Sequence, residues 1–137
     1  MNIYLDIYGT IRGIASPIED VVTLLEYCLD NFPGHVYWLT SYCRHGVNRC
    51  DEVLGFLPDD IRDRAIKEVK PTDWDAMKTD AIDFSQPFVW IDDNMHDSEF
   101  RVLAEHGTEE NFHRINSADP EAIKNALEYI KEYSAKI

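Results

Sequence analysis

The chain has 137 residues, 45% of them hydrophobic and 28% charged, which is the composition of one ordinary globular domain rather than of a disordered or fibrous chain. Its 13 Lys+Arg against 26 Asp+Glu leave a net charge of −13. That surface repels phosphate polymers and speaks against a non-specific DNA or RNA binder. No apolar run approaches the roughly 18–20 residues that span a bilayer. The opening Met1-Asn2-Ile3-Tyr4-Leu5-Asp6 lacks the basic head and long apolar stretch of a secretory leader, so no membrane partner and a cytoplasmic location are expected.

Residues 2–7 (NIYLDI) read as a buried strand, followed by a loop with Gly9, Gly13 and Ser16. Ser16-Pro17-Ile18-Glu19 has the form of a capping box with proline at the first helical position. Ile18, Val21, Val22, Leu25, Cys28, Leu29 and Phe32 then recur at helical spacing until Pro33-Gly34 stops the helix. A second strand is expected over 35–39 (HVYWL), a helix over about 44–54, and a solvated turn at Pro58-Asp59-Asp60. Residues 65–69 (AIKEV) suggest a third strand, 73–83 a short helix and 87–91 (PFVWI) a fourth strand. A helix over about 97–106 ends near Gly107, and 111–115 (NFHRI) suggest a last strand. The final helix starts at Asp119-Pro120 and carries the stripe Ile123, Ala126, Leu127, Ile130, Tyr133.

Strand and helix alternating about five times predict a mainly parallel five-stranded sheet with helices on both faces, a three-layer α/β/α, Rossmann-like fold in one domain over residues 1–137. Cys28, Cys43 and Cys50 are odd in number and lack the paired C-x-x-C spacing of structural zinc sites, so free thiols are expected.

In open parallel sheets, ligands bind beyond the carboxyl ends of the strands. Here those ends are rich in chemistry. The first strand ends in Asp6, the second in Thr40-Ser41, the fourth in Asp92-Asp93-Asn94 with Asp97 just beyond, and Lys70 and Lys78 precede the fourth. Carboxylates about 4 Å apart repel by roughly 4 kcal/mol per pair at an effective dielectric of 20, so such a cluster calls for a cation. An open, all-oxygen cluster suits Mg²⁺ completed by water and phosphate oxygens. A carboxylate can attack phosphorus once a metal and a lysine neutralise the group it attacks, while hydroxyl and lysine donors hold the transferring oxygens.

The order strand-D-x-x-G-T, strand-T/S, lysine, strand-D-D resembles the haloacid dehalogenase superfamily of hydrolases, over residues 2–97 by motif and over the whole chain by sheet pattern. Trp38-Leu39-Thr40 and Val89-Trp90-Ile91-Asp92-Asp93 are also similar to compact members associated with RNA repair proteins. The resemblance implies Asp6 as the nucleophile that forms an aspartyl-phosphate, and Mg²⁺ as cofactor. Thr40, with Ser41 as the lesser candidate, and Thr10 would bind phosphate. Lys78 or Lys70 would neutralise it; Lys70-Pro71 also fits a family pattern. Metal ligands would be Asp6, Asp93 and the Tyr8 carbonyl, with Asp92 and Asp97 in support.

One position departs from the phosphatase pattern. Where those enzymes carry a second aspartate as general acid and base, this chain has Tyr8. A tyrosine with an ordinary pKa near 10 is a poor base at neutral pH, and a missing acid–base group costs typically 10²–10⁴-fold. Three readings follow: a Mg²⁺-dependent phosphohydrolase, a catalytically weakened binding or regulatory module, or a dehalogenase attacking carbon without metal. Asp6 and Thr40 lie 34 positions apart, and Thr40 and Lys78 lie 38 apart. Neither interval has room for the cap domain that the dehalogenases close over a small substrate. The expected site is therefore capless and open, able to take a phosphorylated small molecule or macromolecule, with a polynucleotide the least favoured.

Overall fold

The computed structural model describes residues 1–137. Strand β1 (Asn2–Leu5) is buried at all four positions, as a strand covered on both faces must be. It lies in the middle of a five-stranded sheet with β2 (Val36–Trp38), β3 (Lys70–Pro71), β4 (Phe88–Asp92) and β5 (Phe112–Arg114), in the order β3-β2-β1-β4-β5. Every pairing is parallel: Ile3 faces Val36 on one side and Val89 on the other, and Trp90 faces Phe112. Three helices connect strands, α1 (Ile18–Asn31), α2 (Asp59–Glu68) and α3 (Asp97–Glu105), and a fourth, α4 (Ala122–Lys136), follows β5. The expected three-layer, Rossmann-like α/β fold is thus realised, with the sheet parallel throughout.

Right-handed crossovers dictate the layers. The β1-α1-β2 step moves one way across the sheet and β4-α3-β5 the other, which puts α1 and α3 on opposite faces. Helix α1 packs between α2 and α4. Thirty-two buried hydrophobic residues form one contiguous core, centred on Ile3, Leu5, Val89, Trp90 and Ile91. The chain leaves β1 toward β2 but returns from β3 to β4 on the other side of β1. The carboxyl ends of β1 and β4 therefore flank the topological switch point, where such sheets open a crevice.

Several local expectations fail for identifiable reasons. Residues 65–69 belong mostly to α2, because Ile61 and Ala65 bury one helical face while Arg64 pairs with Glu68 at i,i+4. Only Lys70–Pro71 remain as the edge strand. The Asp59-Asp60 turn is the first turn of that helix, where carboxylates oppose the positive dipole end. The helix expected over 44–54 is a loop with a single 3₁₀ turn at Cys50–Val53, since His45 (φ 60°) and Gly46 (φ 72°) are left-handed. Between 73 and 83 only Lys78–Ala81 turn, as 3₁₀. The capping box does not form: Pro17 precedes the first helical residue and the buried Ser16 hydroxyl has no partner. Helix α4 begins at Ala122 rather than at 119–120, where Asp119 Oδ1 instead accepts from the Glu121 N–H at 2.9 Å.

Leu25 is fully buried on the sheet-facing side of α1. Leu25→Ala is expected to cost about 2–5 kcal/mol of unfolding free energy, read as a lower urea midpoint at unchanged m-value.

Candidate active site

Asp6 follows β1 directly. Its amide donates to the Ile91 carbonyl at 3.1 Å, which fixes the residue against β4. Asp92 closes β4 and Asp93 follows it. Oxygens of Asp6, Asp92 and Asp93 all lie within 4.8 Å of one another. The Lys78 ammonium enters this group from the 3₁₀ turn, 2.6 Å from Asp92 Oδ2 and 3.6 Å from Asp6 Oδ1. Its side chain is 17% exposed, those of Asp6 and Asp92 9% and 2%. Three carboxylates against one ammonium leave an excess of negative charge in a largely buried place.

The three acids are not equivalent. Asp92 Oδ2 accepts from Lys78 Nζ and from the Trp90 indole N–H at 3.2 Å, while Oδ1 accepts from the amides of Asp93 (2.8 Å) and Asn94 (3.2 Å). Four donors use up the acceptor sites of a carboxylate. Asp92 therefore anchors Lys78 and the turn after β4. Asp6 is less committed: it accepts one hydrogen bond, from the Thr10 hydroxyl at 3.3 Å, and has only an ion-pair contact with Lys78 at 3.6 Å. Asp93 is partly exposed and lies against the β1 loop, where a Cβ on Gly9 would stand 2.4 Å from Asp93 Oδ2. Gly9 also has φ +75°. Both its missing side chain and its left-handed backbone are needed to bring Asp93 beside Asp6.

Burial first, and the charge imbalance second, shift the acids. Burial, then the Asp6 charge, push the Asp92 carboxyl above its ordinary value, although Lys78 pulls the other way. Burial and Asp92 push the Asp93 carboxyl up as well. Burial works against the Lys78 charge, but Asp6 and Asp92 outweigh it and hold the ammonium above the usual lysine range.

Other expected site residues divide clearly. Thr40, almost wholly buried, sits just past β2 at the same sheet edge, and its carbonyl accepts from the Trp74 indole at 3.0 Å. Thr10 is fully buried with its hydroxyl on Asp6, so it positions that carboxylate rather than reaching a phosphate. Ser41 is exposed at the start of a 3₁₀ turn. Lys70 lies apart: its ammonium is 6.0 Å from the Tyr37 ring and near Gly34, toward the amino end of β2. That leaves Lys78 as the lysine of the cluster. Asp97 is exposed at the start of α3, outside the group of three carboxylates. Tyr8 is 42% exposed, with its ring tilted 35° against that of Tyr42 at a centroid distance of 5.5 Å. Arg12 donates to its hydroxyl oxygen, which leaves the phenolic proton free to be given away. His45, near Cys43 and Cys50 in sequence, pairs instead with Asp75 at 2.8 Å, while both thiols are buried.

Sequence reasoning missed Glu99. It is buried, and its two oxygens accept from the Lys78 amide (2.8 Å) and the His96 amide (3.0 Å), tying the lysine turn to the start of α3. A glutamate three residues into a helix is a capping signal, but the preceding histidine does not advertise one. Also missed was the polar role of Trp90: it belongs to the core, yet its indole N–H serves Asp92.

Compared with family models, curated proteins and solved structures, the chain gives no match. The donor set itself fits a hard divalent cation: all oxygen, closely spaced, with excess negative charge and with Asp6 and Asp93 still able to accept.

Because the folded state raises the Asp92 and Asp93 carboxyls, they favour folding at low pH, and that contribution is lost as pH rises through their raised values. A bound cation reverses the penalty. The rise in Tm on adding Mg²⁺ to chelator-treated protein is therefore expected to grow as pH rises from the ordinary carboxylate range, about pH 4, through the raised values of these two groups. A pH-independent or absent increment in a thermal-melt series counts against a metal at this cluster.

Proposed function

We propose that this chain is a Mg²⁺-dependent phosphohydrolase of the haloacid dehalogenase type, with Asp6 as nucleophile. The observation that supports this most is the unequal use of the three acids at the sheet's switch point: Asp92 is saturated, and Asp6 and Asp93 are open beside Lys78.

Asp6 and Asp93, with the Tyr8 carbonyl, would hold Mg²⁺, which when bound supplies charge neutralisation for an incoming phosphate. An Asp6 oxygen attacks phosphorus, the ester P–O bond breaks, and the alcohol leaves with a proton from the Tyr8 hydroxyl or from water. Water then attacks the phosphorus of the aspartyl-phosphate, the phosphorus bond to Asp6 breaks, and the water's proton returns to the Tyr8 oxygen or to solvent, so that inorganic phosphate leaves and both side chains are restored. Lys78 neutralises the transferring oxygens, and Thr40 is suited to hydrogen-bond them. Asp92, Thr10 and Glu99 act through other groups, holding Lys78, Asp6 and the lysine turn. No helix is long and apolar enough to cross a membrane, and on this reading the core works without a cap. The charge excess in the cluster weighs against metal-free attack on carbon.

In the purified chain, p-nitrophenyl phosphate should be hydrolysed with Mg²⁺ and not after chelation. Asp6→Asn should remove the activity while leaving the thermal melt close to that of the parent; retained turnover in that variant would defeat the assignment of Asp6.

Tyr8 favours a second reading, a phosphate-binding module with weakened turnover. Its ring packs at a tilt against Tyr42 and its oxygen is engaged by Arg12, so base catalysis on the attacking water is poorly served. If that is the rate-limiting defect, Tyr8→Asp should raise kcat by about tenfold or more. A fall in kcat instead means that the tyrosine proton is used in the parent mechanism.

A further inference from the structure

We propose that the cavity beside the carboxylate cluster is the leaving-group site for a small, polar phosphate ester carrying a second anion, with Arg44 as that anion's anchor. This rests on reading the cluster as a phosphoryl site.

The cavity has a volume of about 320 Å³ and runs from Lys78, Asp92 and Asp93 to a wall made by Arg44 and Trp74. That is at the small end of ligand-binding cavities. Only Trp74 and Ala76 among its lining residues are hydrophobic, so its occupant is polar. The negative groups of the lining are mostly spent. Asp92 and Glu99 each use both oxygens on N–H donors or Lys78. Asp93 faces the cation site.

Arg44 is different. Its Nε donates to the Asp75 carbonyl at 2.6 Å, and its guanidinium lies 4.7 Å over the Trp74 ring. The nearby Asp75 carboxylate is taken by His45. Arg49, Arg62 and Arg64 each pair with a carboxylate, whereas Arg44, like Arg12 and Arg114, pairs with none, and of these Arg44 is the one that lines the cavity. The wall is also fixed in place. Arg44 and Trp74 form a parallel β-bridge, the His45 amide donates to the Trp74 carbonyl at 2.8 Å, and the Trp74 indole donates to Thr40. A guanidinium held by one nitrogen and stacked on one face keeps its outer N–H groups in a planar fork, the geometry that takes a carboxylate or phosphate bidentately. The cavity thus has a phosphoryl end and an anion end, which matches phosphorylated hydroxy acids and small sugar bisphosphates.

The test uses matched pairs that differ only in the second anion. Binding of 3-phosphoglycerate and glycerol 3-phosphate to the Mg²⁺-loaded chain is measured by calorimetry, and phosphate release from both by initial rates. Fructose 1,6-bisphosphate against fructose 6-phosphate distinguishes a second phosphate from a carboxylate. The member with the second anionic group should bind about tenfold or more tightly in at least one pair. Arg44→Gln should erase that preference through Kd and KM, and Arg44→Lys should restore part of it. Equal affinity within both pairs overturns the proposal. So does an Arg44→Gln effect equal for all four compounds, which would assign Arg44 to the transferred phosphoryl group. Preferential binding without phosphate release, from these compounds or from p-nitrophenyl phosphate, would instead refute the hydrolase reading and leave the two-ended cavity standing.

Discussion

The Lys78 ammonium, 2.6 Å from Asp92 and 3.6 Å from Asp6, is the contact on which the rest of the site depends. Without it, two nearly buried carboxylates would face each other at a separation where repulsion amounts to several kcal/mol. Breaking a buried pair by removing one partner typically costs about 3–5 kcal/mol because the other charge is stranded. Lys78 is therefore a structural requirement before it is a chemical one. It is also incomplete as a solution, since Asp93 adds a third negative charge with no ammonium of its own. A fold that retains that imbalance gives up stability at neutral pH, and an exchangeable cation is the simplest physical way to recover it.

The sheet explains how such a costly arrangement stays in register. Asp6 and Asp92 lie at the ends of adjacent parallel strands whose pairing runs from Asn2–Phe88 to Leu5–Ile91. Rigid ladder bonds set their separation, and no loop has to be ordered to bring them together. The less regular parts are then fastened to this frame by single contacts. Gly9 lets Asp93 approach, Thr10 holds Asp6, and Glu99 pins the backbone of Lys78. Each fastening residue is buried or sterically minimal, and none has spare capacity to do chemistry. Division of labour between anchoring and open groups is what makes Asp6 and Asp93 stand out from the 26 acidic residues of the chain.

The strands of the site were legible because both sheet faces are covered. IYL and FVWI are continuous apolar runs whose ends lead to Asp6 and to Asp92-Asp93, and no helical periodicity competes with them. Residues 65–69 misled because AIKEV has strand-like ends, while its true environment is set by Ile61 four residues earlier and by the Arg64–Glu68 pair. Over 44–54, left-handed His45 and Gly46 override a composition that otherwise suits a helix. The choice between Lys70 and Lys78 could not be made from spacing, since it turns on which end of the sheet each side chain reaches. Glu99 was invisible for a related reason: its partners, the amides of Lys78 and His96, come together only through tertiary packing.

The overall charge of −13 takes on a different meaning once the cations are located. The excess acid is a property of the shell, where Arg62 and Arg64 are neutralised by neighbouring carboxylates. At the carboxyl edge of the sheet the pattern changes. Arg12 lies over Tyr8, Arg44 over Trp74 and Arg114 over Phe112, and none of the three pairs with a carboxylate. Arg114 also donates to the Asp93 carbonyl at 3.0 Å, which brings it to the rim of the cluster. Aromatic rings and carbonyls hold these guanidinium groups without discharging them. An acidic shell with an arginine rim repels long polyanions through their many distant charges, whereas a compact anion within a Debye length of the rim meets the guanidinium groups first. On the proposed reading, net charge and local charge would together favour a small anionic ligand, which neither would do alone.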